Sequence, residues 1–419
     1  MSESEEDATS ESDWPVSAEW LQNILKNHHK DLEDPAITII AFSVKPGCEP
    51  SESVLSHIVA VSVQYCIKND GSSDTHSLRL IIKMLPQDPF SRFFVTEAQF
   101  DLREIKFYTE VVPDLEKFKE TQLANLDGSD IKIPIPKCFY GHYFAGTNEP
   151  DPSPPESVLV LENIKTSGYV GSDFSRGLTL KQTKAAVQAI AQIHALSLSY
   201  KVLEAKSLTD KYPFLFQTTR ASDSYQQLIE RGLPQLSQFL ESRPGLADIL
   251  AALNELRPHT KNIIESLLTP KEPLALITHT DFWCNNLMFK EDDTNCQCSI
   301  LDWQMVTYSR ATNDLALLLI SSVPAELRRL HTRKLLDNYW EILVSSCRCL
   351  GLDVETTLEY DRQQLEEDYK RSQLLALLLC IGSVDLALGN AQMEERLIEL
   401  LQDLHTEGLL SAEVIRQEK

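Results

Sequence analysis

Basic residues are in short supply in this sequence. Its 419 residues hold 39 Lys+Arg against 62 Asp+Glu, a formal net charge of −23. So large an acidic excess argues against binding to nucleic acid or to an anionic membrane surface. It also means that a nucleotide could be held only with Mg²⁺ and a few local cations, because the average field repels phosphates. Long apolar runs are missing as well: Leu374–Ile381, the longest in the C-terminal half, is too short to span a bilayer. The first residues, Met1–Asp7, are acidic where a secretory or mitochondrial leader is basic. The nine cysteines are odd in number and scattered, which speaks against a disulfide framework. Cys296-x-Cys298 and Cys347-x-Cys349 lack the CxxC spacing of a zinc site. Free thiols in a cytoplasmic protein are the expectation, with no nucleic-acid, membrane or obligate protein partner. What is present, 42% hydrophobic and 24% charged residues, is ordinary for a globular protein long enough for two cores.

Residues 1–13 are rich in Ser, Glu and Asp and read as a disordered acidic tail. Trp14 to Lys30 has helical spacing in Trp20, Leu21, Ile24 and Leu25. Three strand-like runs follow, Ala36–Val44, Ile58–Ile67 and Ser77–Leu85. The middle one alternates as Val59, Val61, Val63 and Tyr65, the period of a half-buried strand. Asn69-Asp70-Gly71 predicts a tight antiparallel hairpin between the second and third. Phe90–Val112 reads as one helix ended by Pro113. Residues 120–157 read as a proline-rich connection with a strand at Lys137–Tyr143, and Val158–Leu161 is one strand more. From Leu178 the pattern turns largely helical, as in Gln182–Ser197 and Leu228–Leu240, and it is helical again from Asp314 to the end. A mostly β segment thus precedes a mostly α segment.

Within the α segment stands His279-Thr280-Asp281-Phe-Trp-Cys-Asn-Asn286-Leu-Met-Phe289, followed by Ile300-Leu-Asp302-Trp-Gln304. An Asp, an Asn five positions later, and a second Asp after an apolar hairpin are the parts of a phosphoryl-transfer site. Asp281 would accept the proton of an attacking hydroxyl. A tight loop would turn Asn286 back toward the same phosphates. Leu287–Phe289 and Ser299–Leu301 flank the polar segment Lys290–Asn295, so a β-hairpin would deliver Asp302 beside Asn286. Mg²⁺ takes oxygen ligands and usually only one or two protein carboxylates, so Asn286 and Asp302 suffice. His279 is expected to hold the loop backbone rather than to move protons. An ordinary capped turn is the plain alternative; three polar positions in order, with a hairpin-sized spacer, weigh against it.

The third strand carries Lys83 in Ile81-Ile82-Lys83-Met84. A lysine among apolar residues on a central strand needs a partner, since burying an unpaired ammonium is costly. The α- and β-phosphates plus a helix glutamate would supply it. Of Glu97 and Glu104, seven apart on the following helix, Glu104 is the choice. A lysine on an edge strand with its head in solvent is the alternative. Glu162-Asn163, after Val158–Leu161, reads as the hinge whose backbone meets the adenine edge. The turn over Lys45–Ser56 has one glycine, Gly47, so Ser51 and Ser53 would have to approach the phosphates with hydroxyls and amides.

Taken together, Ile82-Lys83-x-x-Pro86, Glu104-Ile-Lys-Phe-Tyr108, Leu159-Val-Leu-Glu162-Asn163, Ala191-Gln-Ile-His194-Ala195, the 279–289 and 302–304 motifs and Asn313-Asp314-Leu-Ala316 resemble the ecdysteroid kinase-like family. That family lies within the choline kinase and aminoglycoside phosphotransferase-like group, and the resemblance covers roughly residues 35–390. It implies an α+β, bilobal protein kinase-like fold. The N-terminal lobe, an antiparallel sheet with a helix, would span 14–161, the hinge 162–168, and a larger, mostly helical lobe 169–419. It implies ATP on Lys83 with Glu104, Asp281 as base, Mg²⁺ on Asn286 and Asp302, Asp314 as a structural acid under the catalytic loop, and His194 packed in the core. Thr280 and Ser51 depart from the family pattern, each standing where glycine is usual. Twelve residues from Asp302 to Asp314 leave no room for a peptide-docking segment, which favours a small alcohol, an ecdysteroid or a related steroid or xenobiotic. The alternatives are a catalytically silent binder of a nucleotide or small molecule, and a scaffolding protein.

Overall fold

The computed structural model describes residues 16–29, 36–48, 55–69, 72–124, 131–145, 156–204 and 207–418. The acidic tail, the turn residues Asp70 and Gly71, and the serines Ser51 and Ser53 lie outside the described residues. The chain divides into two compact units, Met1–Gln87 with Lys137–Asn163, and Asp88–Pro136 with Ile164–Lys419.

The first unit is a sheet with one helix. Helix α1 (Ala18–His28) starts at Ser17, whose hydroxyl accepts from the Trp20 N–H at 3.1 Å, a side-chain cap for an otherwise unpaired donor. Strands β1 (Ala36–Pro46), β2 (His57–Asn69), β3 (Ser72–Met84), β4 (Cys138–His142) and β5 (Val158–Glu162) form one sheet in the order β1-β2-β3-β5-β4. Every neighbouring pair is antiparallel, and Asn69 stands opposite Ser72 across the β2–β3 hairpin. The two-residue period puts Val59, Val61, Val63 and Tyr65 on one face with Leu80, Ile82, Met84, Val158 and Val160. These side chains pack with Leu21, Ile24 and Leu25 of α1 as one core. Truncating a residue such as Leu25 there would cost about 2–5 kcal/mol. Lys83, between Ile82 and Met84, therefore points to the other face of the central strand, in register with Leu159.

The second unit begins with α2 (Pro89–Glu97), capped by Asp88, whose carboxylate accepts from the Ser91 N–H at 2.7 Å. Two expectations fail in the next twenty residues. The helix expected over Phe90–Val112 is interrupted: Gln99 has φ 57°, which no right-handed helix accommodates, and a new helix α3 (Phe100–Lys106) starts after it. Pro113 does not end the run either. A π-helical turn, Phe107–Val111, leads into α4 (Val112–Leu123), and Pro113 sits in the first turn of α4, directly after the wider π turn. Residues 88–136 fall in the second compact unit. The reason is packing: Phe107 stacks on Trp303 with ring centroids 4.0 Å apart, and Arg103 Nη2 donates to the Gln217 carbonyl at 3.1 Å.

After the short strand β6 (Val170–Gly171) comes α5 (Leu180–Glu204), buried on nearly all sides because alanine, leucine and isoleucine occupy every face of its middle turns. Helices α6 (Leu208–Lys211), α7 (Thr218–Glu241), α8 (Ala247–Leu256) and α9 (Thr260–Leu268) lead to β7 (Ala275–Thr278). Strands β8 (Leu287–Glu291) and β9 (Cys296–Ile300) form the expected hairpin, with β6 on its edge, and β10 (Thr307–Arg310) pairs with β7. Helices α10 (Ala311–Ser322), α11 (Ala325–Cys349), α12 (Val354–Leu358), α13 (Arg362–Gly382) and α14 (Ala391–Thr406) complete the unit. Against α5 packs α11, and against α10 packs α13. The cysteines are free thiols. Among the described residues no helix is long and apolar enough to cross a membrane.

Candidate functional site

Strand β7 delivers the chain to a loop, and the β8–β9 hairpin returns it to the same place. Leu287 pairs with Ile300, and the Leu301 N–H donates to the Asn286 carbonyl at 2.8 Å, so the residues flanking the hairpin, Asn286 and Asp302, stand next to each other. Asp302 is in the left-handed region at φ 61°, which Asp tolerates better than most residues. The Asn286 amide nitrogen donates both to the Asp281 carbonyl, at 2.9 Å, and to Asp281 Oδ2, at 2.8 Å. This commits the nitrogen end of the side chain and leaves Oδ1 as its outward acceptor. An amide oxygen beside the Asp302 carboxylate is a donor set suited to a hard divalent cation whose remaining ligands are phosphate and water.

Asp281 is half-buried. Burial pushes its carboxyl above the ordinary range and the Asp302 carboxylate adds to this, while His279 and the hydrogen bond from Asn286 act against it. A carboxyl raised in part by a neighbouring carboxylate is an electrostatic argument for a cation beside it. His279 is fully buried and spends both ring nitrogens on the loop: Nε2 donates to the Leu301 carbonyl at 2.8 Å, and Nδ1 accepts the Asp281 N–H at 3.2 Å. That leaves no ring nitrogen for a substrate.

The loop hangs from a single buried carboxylate. Asp314, in the first turn of α10, accepts from the His279 N–H at 2.8 Å and the Thr280 N–H at 2.7 Å. His194 of α5 closes the set through Nε2 at 3.1 Å, and its Nδ1 accepts from the Tyr339 hydroxyl of α11 at 2.8 Å. Tyr339 went unnoticed in the sequence, and His194 was read only as a core residue. The available signal was a histidine inside the apolar run Ala191–Leu196, since a buried imidazole needs partners. Thr280 is strained, at φ 68°. Its N–H is taken by Asp314, and its hydroxyl meets Thr307 Oγ1 at 2.7 Å and Thr278 Oγ1 at 3.0 Å. A glycine would adopt this backbone freely; here hydrogen bonds hold the threonine in it.

The upstream residues are placed as follows. Lys83 lies on β3 of the first unit, and Glu104 lies on α3 of the second. The break at Gln99 removes the argument that Glu97 and Glu104 share one helical face. Burial separates them instead, because Glu104 is 4% exposed and Glu97 is exposed. The hinge expectation also narrows. The Glu162 N–H donates to the Lys137 carbonyl at 2.8 Å and the Asn163 N–H to the Arg79 carbonyl at 2.9 Å. Both amides serve the sheet, since β5 lies between two strands, and neither is available to a purine.

One wall of a cavity within the second unit is formed by Asp281 and Trp283. The cavity holds about 710 Å³ of empty space, part of it open to solvent, and its other walls come largely from α10, α13 and α14. Its lining residues Phe174, Met393 and Arg396 carry no motif and were not found from sequence.

Residues 50–352 match the model of the ecdysteroid kinase-like family, well over half of the chain, and the chain belongs to that family. A comparison with curated proteins gave no match. Among solved structures it is similar to an ethanolamine kinase of Plasmodium vivax, with 13% identity over 96% of this chain and 89% of that one, TM-score 0.39. A GDP complex of an aminoglycoside phosphotransferase variant shows 12% identity over 94% and 98%, TM-score 0.37. The microcompartment-associated aminopropanol kinase shows 12% identity over 93% and 98%, TM-score 0.34.

Proposed function

We propose that this ecdysteroid kinase-like protein is an ATP-dependent small-molecule kinase that passes the γ-phosphate to an alcohol hydroxyl. The proposed acceptor is an ecdysteroid or a related steroid or xenobiotic. The observation that carries the reading is the 2.8 Å hydrogen bond from the Asn286 amide to Asp281. It holds the proposed base and turns the amide oxygen outward, at the wall of a partly open cavity.

In the proposed reaction the acceptor hydroxyl donates to Asp281 and its oxygen attacks the γ-phosphorus. The bond from that phosphorus to the bridging oxygen breaks, ADP leaves with the electron pair, and the hydroxyl proton goes to Asp281. Mg²⁺ bound to Asn286 Oδ1 and Asp302 would supply neutralisation of the phosphate charge. Lys83, with Glu104 as its proposed carboxylate partner, is assigned to the α- and β-phosphates, and Ser51 and Ser53 to covering them. Glu162 and Asn163 remain assigned to the adenine side, now through groups other than their amides. A small acceptor is favoured by the stretch 303–313, which a 3₁₀ turn, β10 and the start of α10 occupy entirely. No segment is left there to dock a peptide.

The test is purified protein with Mg²⁺ and γ-labelled ATP against a panel of ecdysteroids and other hydroxylated small molecules. Label on at least one acceptor is the expected result. Bound ATP with no transfer to any member would favour the catalytically silent reading.

A further inference from the structure

Arg396 makes no ion pair among the described residues. It projects from α14 into the cavity that Asp281 also lines, among Leu317, Ile320, Val384, Met393, Leu397 and Leu400. Its guanidinium is held by two backbone carbonyls: Nη1 donates to Phe174 at 3.1 Å and Nη2 to Ser321 at 3.1 Å. The Phe174 ring lies under it, with 5.1 Å from the guanidinium carbon to the ring centroid. Gly177 leaves the space, for a Cβ there would stand 2.8 Å from Arg396 Nη1. Two of five N–H groups are thereby used. Among the described residues no carboxylate pairs with it, whereas Arg328 of α11 has Asp403 at 2.6 Å. Among the described residues Asp281 is the one carboxylate in the cavity wall, and its Oδ2 accepts from Asn286. Burial depresses the guanidinium's pKa and Arg328 adds to this, while the thiols of Cys284 and Cys380 act against it. Carbonyl dipoles orient such a charge but do not neutralise it, and leaving it uncompensated in an apolar pocket is costly.

We infer that Arg396 is a specificity-determining residue that receives a hydrogen-bond-accepting oxygen of the acceptor, a carboxylate most strongly, and turns away cationic amines. The inference rests on the kinase reading for the meaning of "acceptor" and deepens it. The acceptor would be an apolar frame with two polar ends, a hydroxyl at Asp281 and an oxygen function at Arg396. An ammonium group would meet a like charge at Arg396 and could pair only with Asp281, the proposed base. Arg396 lies beyond the residues 50–352 matched by the family model.

Three alcohols with one frame test this: a hydroxymethyl-cyclohexane carboxylate, its methyl ester, and the matching aminomethyl compound, which is an ammonium at neutral pH. Calorimetry on the full chain without nucleotide should rank them carboxylate, ester, ammonium, with carboxylate over ammonium by about tenfold or more. Arg396→Met should erase that ranking and Arg396→Lys should restore part of it, each variant checked for an unchanged melting transition. Gly177→Ala, which crowds the guanidinium, should lower the carboxylate preference as well. The wild-type ranking stands as a test even where a variant fails to fold. Equal affinities for the three, no binding of any of them, or an unchanged preference in Arg396→Met would overturn the inference. Labelled-phosphate transfer on the same compounds separates the two readings. Arg396-dependent binding without transfer removes the kinase and leaves the selectivity, whereas equal transfer to all three removes the selectivity and leaves the kinase.

Discussion

Asp281 and Asp314 serve the same loop from opposite surroundings. Asp314 has no exposure and accepts from two backbone N–H groups and a histidine, a full set of donors for a buried carboxylate. Asp281 is half-buried at a cavity wall, receives its side-chain hydrogen bond from one amide, and is pushed up by burial and by Asp302. A carboxylate whose lone pairs are all satisfied holds structure. One that is left partly unsatisfied beside a second carboxylate retains affinity for a proton and for a cation. The difference lies in which elements supply donors. The loop after β7 and the middle of α5 converge on Asp314, and an open cavity faces Asp281.

That contrast can be broken at its strongest point first. Asp281→Asn should lower labelled-phosphate transfer by about 10²–10⁴ while Mg-ATP affinity, read by calorimetry, stays nearly unchanged; normal turnover would remove Asp281 from the chemistry. Asp314→Ala should act on the fold, leaving buried donors without partners at a cost of about 3 kcal/mol in urea unfolding. Wild-type stability in that variant would mean that the loop does not depend on this carboxylate. Thr280 gives a finer comparison. Thr280→Val keeps the strained backbone and loses both hydroxyl contacts, for about 2 kcal/mol, whereas Thr280→Gly also relieves the strain and should cost about half of that. If the glycine variant proved the less stable of the two, strain would not be the right account of this position. Tyr339→Phe removes a single hydrogen bond from His194, so about 1 kcal/mol is expected, with transfer intact.

What could be read from the text followed the range of the interactions. The sheet was visible because alternation in Val59–Tyr65 is a local consequence of one buried face. The hairpin between Asn286 and Asp302 was visible because a polar segment between two apolar runs closes on itself. Gln99 gave no such sign. Nothing in its neighbourhood demands φ 57°, and only the packing of Phe107 on Trp303 explains where α3 must lie. Pro113 misled for a related reason: proline excludes a helical N–H wherever it stands, but whether a π turn precedes it depends on what the helix packs against. The hinge amides at Glu162 and Asn163 looked available until Lys137 and Arg79 were placed beside them. Arg396 had no motif at all.

The order of chemical groups along the chain was therefore decided by the sequence alone: an aspartate, an asparagine and a second aspartate at hairpin spacing, with a lysine on a central strand upstream. Covalent spacing and two-residue alternation suffice for that, since each acts over a few residues. Tertiary structure alone decided what surrounds those groups. His194, Asp314 and Tyr339 come from three helices, and Arg396 from a fourth. Whether a buried carboxylate is satisfied, or a half-buried guanidinium is held by carbonyls alone, depends on donors and acceptors brought from distant parts of the chain. Such partners leave no periodicity behind.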